Sequence, residues 1–215
     1  VQSEVDKNKS AALGRWSKLK DWTMFRDRAE KLFLHEAEQA KDNGYFCNLY
    51  VSKEIDHRQI QLFTGQAPTG ESFPVRNDLG VKTSTKLVSE GGGTLVLSQS
   101  TLGDVAIILY PLKSEKLSRI KDKIIWTVKP SPGAISSRML EAAIKDFYIY
   151  LRVSSSRLSE SRLDRARVLY LEFRSSQYEG AGTLAKVIYS KWLLPLIMLS
   201  ASIVGIWSGV KSIAN

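Results

Sequence analysis

The chain has 215 residues, of which 43% are hydrophobic and 25% are charged, and its formal net charge is +9. This length and composition fit one domain of ordinary size, with or without an appendage, and they exclude a disordered chain, a collagen-like repeat and a polytopic membrane protein. One cysteine excludes a disulfide framework and a cysteine-based metal cluster within the chain, and two histidines leave almost no ligands for a histidine metal site.

Residues 10–42 are predicted to form the first helix. Apolar side chains recur there at steps of three and four and so share one stripe: Phe25, Ala29, Leu32, Phe33, Ala37 and Ala40. An earlier set at steps of three continues this period or forms a shorter helix: Leu13, Trp16, Leu19 and Trp22. The helix is expected to end at Asn43-Gly44, because both residue types adopt the left-handed conformation readily.

The periodicity changes from helical to alternating at Tyr45, which predicts a sheet. Two strands, at about 46–51 and 58–64, are expected to form a hairpin. Further strands are predicted in a largely antiparallel meander, at 81–89, 94–99, 104–110 and 123–128. Because the VAIILY segment is apolar on both faces, it is predicted to be the central strand.

Residues 65–80 contain three glycines and two prolines and are predicted to be a loop. Its last part, Arg76, Asn77 and Asp78, is the predicted contact for a ligand or a protein partner, because long loops held by a sheet often carry binding residues. Such loops also tolerate insertions without any function. Gly91-Gly92-Gly93 is predicted to be a hairpin tip, because the Lys-Ser/Thr pair of a phosphate-binding loop does not follow it.

Two further helices are predicted, over about 134–152 and then through residue 176, with Ser154-Ser155-Ser156 between them. The predicted fold is α+β: an N-terminal helix, a largely antiparallel sheet of about five or six strands, two C-terminal helices and one transmembrane helix. Residues 1–183 are predicted to form a cytoplasmic domain. Residues 184–215 are predicted to form the membrane anchor and a short tail.

The predicted anchor is a run of nineteen residues without charge, 192–210. At about 1.5 Å rise per residue it would span roughly 28 Å, close to the thickness of a bilayer core. Trp192 and Trp207 lie near its ends, which favours a transmembrane helix over a buried helix of a water-soluble protein. The basic residues before this run place residues 1–190 in the cytoplasm, and the polar N-terminus predicts no signal peptide.

Ala201, Gly205 and Gly209 repeat at intervals of four within the predicted anchor and share one stripe. Small residues at this spacing allow two helices to approach closely in lipid. The stripe is predicted to pack against another copy of the chain or against a different transmembrane subunit, and the motif does not distinguish the two.

Positive charge is concentrated before the anchor. Residues 113–191 contain 16 basic and 8 acidic side chains, whereas residues 1–112 contain 14 of each. This surplus predicts contact with anionic lipid headgroups, through the candidates Arg174, Lys186, Lys191 and Lys211. The alternative is a solvated helix face whose arginines pair with carboxylates. No nucleic-acid-binding motif accompanies the charge, so nucleic acid is not expected as a partner.

The sequence contains no pattern that predicts catalysis, a cofactor or a metal site. His35 lies in HExxQ, which lacks the second zinc ligand of HExxH. His57 is expected to be exposed in a hairpin. Cys47 alternates with Leu49 and Val51, which favours a buried apolar role over that of a nucleophile.

We therefore expect a protein without enzymatic activity. The first interpretation is a single-pass, membrane-anchored module for binding, interaction or sensing that associates through its transmembrane helix; a membrane-perturbing effector is one version of it. The alternative is an accessory subunit of a larger membrane protein complex.

Overall fold

The computed structural model describes residues 2–56, 58–76, 82–114 and 121–178. These residues form an α+β fold of three helices and eight strands in two antiparallel sheets. The helices are α1 (Gln2–Asp42), α2 (Ser137–Ser154) and α3 (Arg162–Ser176), and a short 3₁₀ helix lies at Pro132–Ala134. The strands are β1 (Leu49–Glu54), β2 (Gln59–Thr64), β3 (Ala67–Arg76), β4 (Lys82–Gly91), β5 (Thr94–Gln99), β6 (Val105–Tyr110), β7 (Lys113–Ser114) and β8 (Ile124–Lys129).

The larger sheet has the order β1-β2-β5-β6-β8, and all of its neighbouring strands are antiparallel. Side chains alternate between its two faces, as the two-residue period of a strand requires. On one face, Ile60, Leu97 and Ile107 are fully buried in the same core as residues of all three helices. The opposite face carries mostly half-buried side chains, and this face contains the candidate site described below.

Local signals in the sequence explain where the helices begin and end. α1 ends in a Schellman motif: Gly44 has a φ of +62°, and the Tyr45 N–H donates to the Ala40 carbonyl at 2.8 Å. The hydroxyl of Ser136 accepts from the Met139 N–H at the start of α2, and that of Ser161 accepts from the Asp164 N–H at the start of α3. The predicted stop at Asn43-Gly44 is therefore confirmed.

The predicted α+β class, the antiparallel pairing and the order of the helices are confirmed. The predicted loop at 65–80 is wrong, because most of it is β3, which pairs with β4. β3 tolerates Pro68 and Pro74 because it lies at the edge of the smaller sheet, where an N–H that faces away from β4 is not needed. Between these prolines the pairing shifts register around Gly70, whose φ of +83° suits a bulge.

Two further expectations are corrected by the sheet order. The VAIILY strand is β6, which lies fourth among the five strands, and its side chains alternate between buried and half-buried. The central strand is β5. Gly91-Gly92-Gly93 is not a hairpin tip, because it connects β4 in one sheet to β5 in the other. Gly93 is buried there, and a Cβ at this position would clash with Leu151 of α2.

The predicted transmembrane helix at 192–210 lies outside the described residues. Among the residues that are described, no helix is both long and apolar enough to cross a membrane.

Candidate binding groove on the open sheet face

The face of the five-stranded sheet opposite the helices holds a shallow groove with a volume of about 350 Å³. Its lining comes from the middle of the sheet and from the turn before β5: Gln59, Gln61, Gly92, Thr94, Val96, Ser98, Ile108 and Tyr110. We call this the sheet groove. Its volume is near the lower end of the range of small-molecule pockets, about 300–1,000 Å³.

Strand register explains how these side chains meet. Gln61 of β2 lies opposite Val96 of β5, which in turn lies opposite Ile108 of β6. The rows on either side pair Gln59 with Ser98 and Thr94 with Tyr110. Because residues two apart in a strand share a face, all of these side chains project from the same side of the sheet.

The sheet groove combines an apolar floor with uncharged polar groups. Val96 is 8% exposed, and it forms the floor with Ile108. Gln61 Nε2 lies 3.4 Å from Gln59 Oε1, so the two amides interact while each keeps capacity for further hydrogen bonds. Thr94 Oγ1 donates to the Gly92 carbonyl at 3.1 Å.

This chemistry suits an uncharged ligand. Among the described residues, none of the lining side chains is a carboxylate, an ammonium or a guanidinium, so these residues offer no counter-charge for an ionic ligand. Amide and hydroxyl groups recognise hydrogen-bonding edges, while the apolar floor and the Tyr110 ring favour an apolar or aromatic surface. Such a combination of few polar groups with an apolar surface is typical of small-ligand sites.

The described part of the predicted ligand loop, residues 65–76, is not among the described residues that line the groove. Arg76 is the last residue of β3, and nothing further is described of its side chain. Asn77 and Asp78 lie outside the described residues, as do His57 and the predicted anchor residues Lys186, Lys191, Ala201, Gly205, Gly209 and Lys211. The roles assigned to these residues stay predictions.

Arg174 is the one predicted lipid contact within the described residues. Its guanidinium lies 4.8 Å from the centre of the Trp126 ring and donates to the Trp126 carbonyl at 2.6 Å. The same group lies 5.9 Å from the Tyr170 ring. Arg174 therefore joins α3 to β8 and is half-buried, and its role at a lipid surface stays a prediction.

Several arginines before the predicted anchor form ion pairs with carboxylates. This pairing belongs to the alternative explanation of the positive charge, a solvated helix face. Arg152 of α2 pairs with Asp164 at the start of α3, at 3.1 and 3.2 Å. This interaction lowers the pKa of the Asp164 carboxyl, chiefly through the hydrogen bond from Arg152. Arg165 pairs with Glu160 on the surface. Part of the positive surplus is thus balanced locally.

A buried carboxylate that the sequence analysis missed links strand β4 of the smaller sheet to the segment that follows α2. Glu90 of β4 is 3% exposed and accepts hydrogen bonds from Ser155 Oγ at 2.8 Å and from Ser156 N–H at 2.9 Å. Ser156 Oγ lies 3.0 Å from the same carboxylate. The serine-rich segment after α2 is therefore fixed to the smaller sheet. The run of serines was visible in the sequence, but its acceptor lies 65 residues earlier in the chain.

Cys47 is buried in the core, as predicted. The pKa of its thiol is raised to about 12, chiefly by burial and also by the negative charge of Glu90, while Arg157 opposes the shift. A thiol with so high a pKa carries almost no thiolate at neutral pH, so it is a poor nucleophile. His35 is exposed on α1. Within the described ranges, no group of three or more His, Cys, Asp or Glu side chains could hold a metal ion.

Comparison of the chain with protein-family models, with curated proteins and with solved structures gives no match.

Proposed function

We propose that this protein is a single-pass membrane-anchored binding module, in which residues 192–210 cross the bilayer and the sheet groove binds an uncharged ligand or an uncharged part of a partner. The observation that carries the anchor is the run of nineteen uncharged residues between Lys191 and Lys211. Its length matches a bilayer core, and basic residues flank both of its ends.

The sheet groove supports the binding role. It lies on the face that the helices leave open, so a ligand could enter without displacing the core. Gln59 and Gln61 of β2 provide hydrogen-bonding amides beside the apolar floor at Val96 and Ile108.

Substitution in the groove tests the binding role. We would screen the full chain in nanodiscs against uncharged probes (nucleosides, methyl glycosides and end-capped dipeptides) and follow binding by isothermal titration calorimetry. Gln61→Leu keeps most of the side-chain volume but removes the amide, so it should weaken any groove ligand by roughly 10-fold or more. Gln39→Leu, on exposed α1, is the matched control and should leave binding unchanged.

Two results would contradict the binding role. One is a screen in which no uncharged probe binds, and the other is a bound probe whose affinity is equal for wild type and Gln61→Leu. Purification of the full chain with another membrane protein at fixed stoichiometry would instead favour the accessory-subunit function.

Labelling with an impermeant maleimide tests the proposed topology. Gln39→Cys is at an exposed position of α1, whereas Ala214→Cys follows the proposed span. In sealed vesicles of known orientation, the two cysteines should react from opposite sides of the membrane. Reaction of both from the same side would exclude a single span between them.

A further inference from the structure

The long helix α1 carries a second apolar stripe on the side that faces away from the core. Its members are widely separated in sequence and highly exposed: Leu13 (73%), Trp16 (72%), Met24 (67%) and Leu34 (49%). At about 100° of rotation per residue, these four fall within a sector of roughly 80°. The buried residues of α1, including Phe25, Ala29 and Phe33, lie on the opposite side.

Charged residues share this outer stripe. Lys20, Asp27 and Lys31 lie between the apolar residues on the same face, and all three are exposed. Asp27 also lies 3.4 Å from its neighbour Arg26 on the surface. The stripe therefore alternates apolar, basic and acidic side chains over about 32 Å of helix, from Leu13 to Leu34.

Residues of complementary chemistry lie at nearly equal distances before and after Met24 on this stripe. Leu13 lies eleven residues before Met24, and Leu34 lies ten residues after it. Lys20 lies four residues before Met24, and Asp27 lies three residues after it. Trp16 lies eight residues before Met24, and Lys31 lies seven residues after it. In each pair, the distances of the two residues from Met24 differ by one residue, which is about 1.5 Å along the helix axis.

We propose that the outer stripe of α1 binds a second copy of this chain, with the two helices antiparallel and crossing at Met24. In this arrangement Leu13 packs on the second copy's Leu34, and Lys20 pairs with the second copy's Asp27. Trp16 lies beside the second copy's Lys31, where the indole covers the aliphatic stem or contacts the ammonium. The two Met24 side chains meet on the two-fold axis.

A two-fold symmetric interface requires this kind of self-complementarity, because each contact between two different residues must occur twice. A lipid surface would explain the apolar and basic residues of the stripe, but it would repel Asp27, which lies near the centre. Opposite charge at matched positions therefore favours a second copy over anionic lipid.

Disulfide formation across the proposed axis tests the arrangement. Met24→Cys is introduced into the full chain in nanodiscs loaded at more than one copy, with the buried Cys47 left in place. The two new cysteines would face each other, so an oxidant should link the copies at least 10-fold faster than in Gln39→Cys. Gln39 is also exposed on α1, but the two copies of it would lie about 45 Å apart. Equal rates for the two variants would overturn the proposal.

A charge exchange tests the register independently. In the Met24→Cys background, Lys20→Asp or Asp27→Lys alone should slow cross-linking about 5-fold or more, because each places like charges together. The double variant should restore the rate. Lys41→Asp, beyond the stripe, is the control and should have no effect. Slow cross-linking in the double variant would exclude the proposed register.

One further variant separates this interface from packing in the membrane. Gly205→Leu is expected to block close approach of the predicted anchor helices, and it leaves the sequence of α1 unchanged. Cross-linking at Met24 should persist in this variant. Its loss would show that association depends on the anchor and would overturn an α1 interface that assembles by itself.

Discussion

Arg167 of α3 donates hydrogen bonds to both carboxylate oxygens of Asp146 in α2, each at 2.8 Å. Asp146 is 3% exposed and also accepts from Trp126 Nε1 of β8 at 2.7 Å. One buried carboxylate thus connects two helices and the edge of the larger sheet. A charge can be retained in such a place because it is paired and its oxygens are hydrogen-bonded.

Removal of this carboxylate should destabilise the fold. Asp146→Ala is expected to lower the free energy of unfolding by about 2–3 kcal/mol, because it leaves the buried Trp126 N–H without its acceptor and Arg167 without its counter-charge. Water compensates part of the second loss, since the Arg167 side chain is 41% exposed. Chemical denaturation of the full chain in detergent would measure the change.

Asp122→Ala is the matched control. Asp122 lies 3.4 Å from Lys113 in an ion pair that is largely exposed, so its removal should change stability by less than about 0.5 kcal/mol. Equal effects of the two substitutions would show that Asp146 contributes no more than a surface charge.

Gly93 should not tolerate a larger residue. Gly93→Ala places a methyl group against Leu151, which is fully buried in the core, and 3.3 Å from Leu112. We expect a loss of about 1–3 kcal/mol, because a packed core cannot accept extra volume without strain. Gly14→Ala is the paired control, since nothing lies within 4 Å of a Cβ there and alanine favours the helix by about 1 kcal/mol. Thermal unfolding of both variants should give shifts of opposite sign.

The Arg152–Asp164 pair should make stability depend on pH in the acid range. The pKa of Asp164 is lower in the folded chain than the ordinary value of about 3.9, so folding favours its charged form. This contribution is fully present above pH 4 to 5 and is lost as the pH falls through the lowered pKa. Arg152→Gln should therefore be less stable than wild type at pH 6, with a difference that shrinks toward pH 2.

Arg138→Gln is the control for that titration, because Arg138 is exposed on the same helix. Its stability should follow the wild type at every pH. A difference between Arg152→Gln and wild type that is constant with pH would exclude linkage through the Asp164 carboxyl.

Cys47 should be unreactive in the folded chain. With a pKa of about 12, its thiol carries roughly 10⁻⁴ of thiolate at pH 8, far less than an exposed cysteine with a pKa of about 8.5. We expect alkylation followed by mass spectrometry to be more than 100-fold slower than at an exposed cysteine, introduced as Gln39→Cys. Comparable rates at the two sites would show that Cys47 is open to solvent.

Local patterns predicted most of the fold. The helical period located the core side of α1 from Trp22 onward, and β5 was predicted with the bounds that it has in the structure. Leu13 and Trp16, which were predicted to continue that period or to form a shorter helix, lie on the exposed side of α1 instead. These features depend on residues close together in sequence. The division into two sheets depends on which strands pair over long distances, and the composition of 65–80 hid β3 because an edge strand can contain proline and glycine.

The candidate site was harder to predict for the same reason. The alternation of Gln59, Ile60, Gln61 and Leu62 indicated a half-buried strand, but glutamines on an open sheet face are also ordinary solvent contacts. Only the register with β5 and β6 brings them beside Val96, Ile108 and Tyr110. Asp146 and Glu90 were likewise missed. Their partners lie far away in the sequence, and no local pattern distinguishes such a buried carboxylate from one on the surface.

The proposed membrane anchor is tested most directly by alkaline carbonate extraction of membranes that contain the full chain. We predict that wild type stays in the membrane pellet, as does the conservative variant Leu199→Ile/Ile203→Leu. Leu199→Arg/Ile203→Arg should be extracted into the supernatant, because each central arginine costs about 2.5–3.5 kcal/mol on insertion. Extraction of the wild-type chain, or retention of the double-arginine variant, would contradict a span at 192–210.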